Sequence, residues 1–214
     1  MTRLRQGYGG QANDSMNLRT NMKIISVRIF LSLALAWSAV PVRETLAADQ
    51  PSKGAFVFQG VSYFHRWSQN EQHEFTPEKQ EDLEKWSDML TINGYPGVAD
   101  GDALATAANA VLENYKNHQA RVLKTSSVPR TPDRPAEHLI AVVFTRPDFS
   151  EAAFARFKLV DGKGFSFVYS HRIYGEAAGD QMSSWLGAHG EKVEKALMEW
   201  NSMPSPSFLD QEKL

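Results

Sequence analysis

AEHLIAVVFTRPDFSEAAFARFKLVDGKGFSFVYSHRIYG, residues 136–175, reads as three consecutive β-strands. Leu139 to Phe144 is an unbroken apolar run rich in β-formers, the mark of a strand buried on both faces inside a sheet. Ala153, Ala155, Phe157 and Leu159 alternate with Phe154, Arg156 and Lys158. Phe165, Phe167, Tyr169, His171 and Ile173 alternate with Ser166, Val168, Ser170 and Arg172. A period of two sends one set inward and the other outward. Between these strands Asp161-Gly162 supplies the positive φ angles of a tight hairpin. Thr145-Arg146-Pro147-Asp148 is also turn-like, while the helix-compatible letters Ser150-Glu151-Ala152-Ala153 leave the start of the middle strand open.

The other segments are arranged to cover this stretch. Ala55 to Arg66 alternates as a strand, with Gly60 marking a bulge or a close approach. Trp67 to Lys79 is polar and turn-prone. Thr76-Pro77-Glu78 resembles the start of a short helix running to Lys85, with Thr76 as cap and Pro77 at the first position. Trp86 to Tyr95 reads as a strand, and Trp67 and Trp86 as core residues. Asp100-Gly101-Asp102 opens the clearest helix. Ala103, Leu104, Ala107, Ala108, Val111, Leu112 and Tyr115 recur in it at helical spacing, and His118 stands near its end. Ala120 to Val128 is a further strand candidate, and Pro129 to Pro135 a surface connection. Met182, Trp185, Leu186, His189, Val193, Ala196, Leu197 and Trp200 form a second helical stripe, which Gly187 and Gly190 weaken enough to predict a kink near Gly190.

Strands cluster as hairpins instead of alternating with helices. The pattern predicts an α+β domain over residues 49–203, an antiparallel sheet of five to six strands packed by two main helices. Residues 204–214 contain Pro204 and Pro206, lack periodicity and read as a flexible tail.

The first 21 residues are polar and Gly/Gln-rich, and read as disordered or as sequence upstream of a start at Met16 or Met22. Residues 22–48 resemble a secretory signal peptide. Lys23 and Arg28 form the basic end, Ile29 to Val40 the apolar stretch, and Thr45-Leu46-Ala47 offers small residues at the cleavage positions, with Ala48 as a neighbouring alternative. The charged Arg43-Glu44 departs from that pattern and leaves an uncleaved anchor open. Of 23 Lys/Arg and 25 Asp/Glu, six and two precede Asp49, leaving 17 and 23 from Asp49 onward. The expected mature chain is acidic, periplasmic or secreted, and has no membrane span.

Composition narrows the function classes. At a net charge of −2, the chain has no basic excess to suggest nucleic acid as a partner. It has no cysteine, which removes disulfides, thiol nucleophiles, Cys-ligated zinc and iron–sulfur clusters. No nucleophile elbow, His-Glu-x-x-His or Gly-rich phosphate loop is present, and no cofactor is implied.

The most distinctive detail is a doublet. Tyr63-Phe64-His65-Arg66 and Tyr169-Ser170-His171-Arg172 share the pattern Tyr-x-His-Arg. In a strand, Tyr and His share one face and Arg takes the other. On neighbouring strands, the doublet would gather Tyr63, His65, Tyr169 and His171 on one surface and Arg66 with Arg172 on the opposite one. Paired guanidinium forks suit a small anionic ligand, and paired imidazoles suit a metal or proton transfer. The alternative is coincidence: satisfied strand histidines, and arginines lying over carboxylates. His65, Glu71, His73, Glu74 and His171 are the remaining metal-ligand candidates, although nothing fixes their spacing on a rigid element. His138 and His189 read as structural.

The stretches YFHRWSQNEQHEFTPE (63–78), KWSDMLTINGYP (85–96), VPRTPDRPAEHLI, FARFKLVDG and YSHRIYG (within 128–175) resemble a family of short exported bacterial proteins of uncharacterised function. That resemblance implies no activity and no catalytic residue. The element order is also similar to PsbP-like domains, at the level of fold alone. The leading expectation is a non-catalytic binding or accessory module whose partner is an envelope protein or a small anion. The alternatives are a small extracytoplasmic hydrolase or metal-dependent enzyme using His65, His73 and His171, and a purely structural envelope protein.

Overall fold

A computed structural model describes residues 55–212. The expected signal peptide and the segment before it lie outside the described residues. In chain order the elements are β1 (Ala55–Phe58), β2 (Val61–Gln69), β3 (Gln72–Pro77), β4 (Asp88–Tyr95), α1 (Gly101–Asn117), β5 (Arg121–Val128), β6 (Glu137–Thr145), β7 (Phe149–Val160), β8 (Lys163–Tyr174), α2 (Ala178–Glu199) and α3 (Pro206–Gln211). The fold is α+β, as expected, but the antiparallel sheet has eight strands instead of five to six, in the order β1-β2-β3-β4-β8-β7-β6-β5.

The 136–175 stretch supplies β6, β7 and β8 at the heart of the sheet. Asp161 (φ 50°) and Gly162 (φ 72°) join β7 to β8 in the two-residue hairpin that the sequence predicts. The two extra strands come from turns of the same kind. Gln59 and Gly60 both have positive φ, so Gly60 turns the chain between β1 and β2 instead of bulging one strand. Asn70 and Glu71 do the same between β2 and β3. A glutamate in that conformation is unusual, and this hides the turn in the sequence. β3 occupies the predicted polar loop: His73 and Phe75 are buried, while Gln72 and Glu74 alternate with them. The predicted helix at Thr76 does not form. Thr76 is a fully buried strand residue whose hydroxyl donates to the Gln80 carbonyl, and turns lead from there to β4.

The two faces of the sheet carry separate cores. On one, Leu104, Ala108 and Tyr115 of α1 pack on Ile140, Val142, Ala155 and Phe157. Asp100 caps that helix, accepting from the Ala103 N–H at 2.8 Å. On the other face, Met182, Val193 and Leu197 of α2 pack on Phe154, Phe167 and Tyr169. α2 runs unbroken through Gly187 and Gly190, because its buried stripe outweighs a helix penalty of about 1 kcal/mol per glycine.

Because both faces are covered, Arg156 is buried instead of solvated, at 3% exposure. Its guanidinium donates to Glu137 Oε2 at 2.7 Å and to the Leu197 and Trp200 carbonyls at 2.8 and 2.9 Å. No basic residue lies in the last turn of α2, so the sheet provides the positive charge that its carbonyls favour. Residues 204–212, expected as a tail without regular structure, instead form α3 and its cap. Ser205 accepts from the Phe208 N–H, Pro206 starts the helix, and Leu209 is buried. Among the described residues, no helix is long and apolar enough to cross a membrane.

Candidate functional site

β3 and β4 lie between β2 and β8, so the two Tyr-x-His-Arg copies are not on adjacent strands. Pairing registers nonetheless keep Tyr63, His65, Tyr169 and His171 on the α2 side of the sheet. Asp88, the first residue of β4 and directly opposite His171, joins part of the set. Its Oδ1 accepts from the Tyr169 hydroxyl at 2.6 Å and lies 2.9 Å from His171 Nδ1. The Gln80 side chain fixes this end of the strand, accepting from the Ser87 and Asp88 N–H groups at 2.7 and 2.8 Å. Trp185 of α2 lies parallel over the His171 ring, with centroids 4.1 Å apart, and His189 stands one turn further along at 5.5 Å.

The electrostatics follow from partial burial. Desolvation pushes the Asp88 carboxyl upward, but the bonds from His171 and Tyr169 and the nearby imidazole outweigh it and hold the carboxyl below its ordinary value. Burial, reinforced by the Asp88 charge, pushes the Tyr169 phenol well above its usual range, and the same two causes raise Tyr63. Tyr63, Tyr169 and His171 thus gather about one carboxylate, with Trp185 and His189 at its border. The side chains of His171 and Asp88 remain 16% and 27% exposed.

His65 stands apart from this group. Its ring lies 5.1 Å from Phe75 and 5.8 Å from His73, and its Nδ1 is 3.6 Å from Glu212 beyond α3. Glu74 alternates with His73 and faces the other side of the sheet, and His171 belongs to the Asp88 group. The metal-ligand candidates His65, His73, Glu74 and His171 therefore do not converge, and no set of three or more ligating side chains meets anywhere among the described residues.

The arginines do not form a pair either. Arg66 sits at a β-bulge, donating to Thr76 Oγ1 at 3.0 Å and to the Pro77 and Glu78 carbonyls at 3.2 and 3.1 Å. Arg172 donates to Glu151 at 2.7 and 3.1 Å, and its guanidinium lies 4.1 Å from the Trp86 ring and 4.2 Å from the Phe149 ring. Both have internal partners. Asp88 and Trp185 were missed as site residues. The visible signal for Asp88 was a carboxylate heading an otherwise uncharged strand; for Trp185, only its place on a helical stripe.

A protein-family model matches residues 51–204, and the family it describes is uncharacterised. No curated protein matches the chain. Among solved structures, the chain is similar to the Ran-binding protein Mog1p of Saccharomyces cerevisiae, at 11% identity and a TM-score of 0.42, over 69% of this chain and 93% of that one.

Proposed function

The chain belongs to that uncharacterised family, and from this premise we propose that it is an exported, non-catalytic binding or accessory module of the cell envelope. Its recognition surface is the Asp88–His171–Trp185 group. The observation that carries the binding reading is the company His171 keeps. Its imidazole is oriented by a carboxylate, as a general base would be, yet the hydroxyl sharing that carboxylate is a phenol held strongly protonated by burial and by Asp88. An oriented imidazole, a partly exposed carboxylate and an indole suit recognition of a polar group on a partner protein. A free small anion is less suited, since Arg66 and Arg172 already have internal partners.

Export rests on residues 22–48, and the family match beginning at residue 51, just past the expected cleavage point, supports it. The test is expression of the full chain in a Gram-negative host, with fractionation and intact-mass analysis. We expect a periplasmic species beginning near Asp49; uncut chain confined to the cytosol overturns the assignment. The 2.9 Å Asp88–His171 contact favours one second reading, a small extracytoplasmic hydrolase with His171 as base. Turnover of p-nitrophenyl acetate that is abolished by His171→Ala would establish it.

A further inference from the structure

A second surface, on the opposite side of the sheet from α2, carries a separate inference. β5 ends the sheet, so among the described strands its outer backbone edge has no partner. Unpaired strand edges invite added strands, and folds commonly blunt them with charge, bulges or proline. The first half of β5 is blunted in this way: a register shift lies between Val122 and Lys124, and Lys124 pairs with Glu194 at 2.6 Å. The second half, Thr125 to Val128, is exposed along most of its length and contains no bulge, charge or proline. Four extended residues offer about 13 Å of free edge.

A groove of about 300 Å³ borders this half, walled by Ala105, Ala108, Asn109 and Leu112 of α1 and by Ser127 and His138 of the strands. Ser127 Oγ and His138 Nδ1 are 2.8 Å apart. Desolvation lowers the His138 pKa, so the groove wall carries no charge near neutral pH. Cations flank β5 at both ends. Arg121 lies exposed at the start of β5, four residues before the free half, and Arg130 and Arg134 lie exposed just past its end, with Asp133 the only carboxylate between residues 121 and 135. This basic strip contrasts with the net negative charge of the chain as a whole.

We propose that β5 takes an extended segment of a partner protein as an added strand, with an uncharged side chain entering the α1 groove and acidic residues at both ends meeting Arg121, Arg130 and Arg134. Main-chain pairing would supply affinity, and the groove and terminal charges would supply selectivity.

The probe is a fluorescein-labelled peptide with a Thr-Val-Thr-Val-Thr centre and two aspartates at each end, titrated into the full chain by anisotropy. A control peptide carries lysines in place of the aspartates. We expect saturable binding of the acidic peptide, at least about tenfold tighter than the lysine control. Asn109→Trp, an exposed helix position, should fill the groove and weaken binding by at least about tenfold while leaving the circular dichroism spectrum unchanged. Arg121→Glu with Arg130→Glu should abolish the preference for the acidic peptide, and decides the question alone if the tryptophan variant fails to fold. Equal affinity for both peptides, no binding at millimolar peptide, or affinity unchanged by Asn109→Trp overturns the proposal. Reversible dimerisation of the chain that Asn109→Trp abolishes also overturns it, by making a second copy the occupant of the edge.

Discussion

The two Tyr-x-His-Arg segments have the same pattern and end in different chemistry. On β2, His65 is sealed among Phe75, His73 and the end of α3, and Arg66 stitches a bulge to the carbonyls of the following loop. On β8, His171 is held by Asp88 under Trp185, and Arg172 is clamped between Trp86 and Phe149 with its charge on Glu151. In both copies the strand period sets which face each residue takes. Cross-strand neighbours then decide what the residue does there. β3 gives His65 an aromatic neighbour, whereas β4 gives His171 a carboxylate.

The sharpest way to separate the two copies is to loosen the helix over one of them. Arg156 ties the last carbonyls of α2 to Glu137 beneath. Arg156→Ala would leave Glu137 buried without its guanidinium partner and should cost about 3–5 kcal/mol in urea unfolding. The β8 copy lies under α2 and the β2 copy under α3. His171 amide protons should therefore lose hydrogen-exchange protection before those of His65. Equal loss at both would show that the copies share one cooperative unit.

A smaller effect distinguishes the arginines. Arg172→Ala removes a charged bond to a half-buried carboxylate and two ring contacts, and should cost roughly 2–3 kcal/mol. Arg66→Ala removes bonds to a hydroxyl and loop carbonyls, along with a contact to Glu81, which is 77% exposed. It should cost about 1 kcal/mol. Matching losses in urea midpoint would mean that the bulge on β2 is as tightly bound as the aromatic clamp on β8.

Much of this was legible in the sequence. The 136–175 stretch gave its three strands and their hairpin, because alternation and Asp-Gly are local signals. Both main helices were legible for the same reason. β3 was not, since Asn70-Glu71 turns the chain without a glycine and Thr76-Pro77 has the letters of a helix cap. α3 was missed although Ser205-Pro206 is a cap followed by a first-turn proline, because so short a helix shows no periodicity and owes its place to Leu209 and Phe208 packing on the sheet. The candidate site was half legible. Pattern alone found the tyrosines and histidines; Asp88 and Trp185 join them only through the β4–β8 register and the seat of α2.

That register makes a subtler prediction, in pH. The bonds from His171 and Tyr169 hold the Asp88 carboxyl below its ordinary value of 3.8 against the upward push of burial. A carboxyl with a depressed folded pKa adds stability that is fully present above its unfolded value and is lost as pH falls through the folded one. Asp88→Asn should therefore lower stability by about 1–2 kcal/mol at pH 6, and the gap from the parent should close as pH falls below 4. Tyr169 and Tyr63 act at the other limit. Their folded pKa values are raised above 10.0, so their contribution is complete below pH 10 and falls away as pH rises beyond it. Because Asp88 contributes to raising both, Asp88→Asn should also soften the alkaline loss. Urea midpoints of the two proteins, measured across pH 2.5 to 11, would show a gap that peaks near neutrality and shrinks on the acid side. A gap independent of pH would mean that Asp88 is held by packing alone, and the contrast between the β8 and β2 copies would then lose its electrostatic basis.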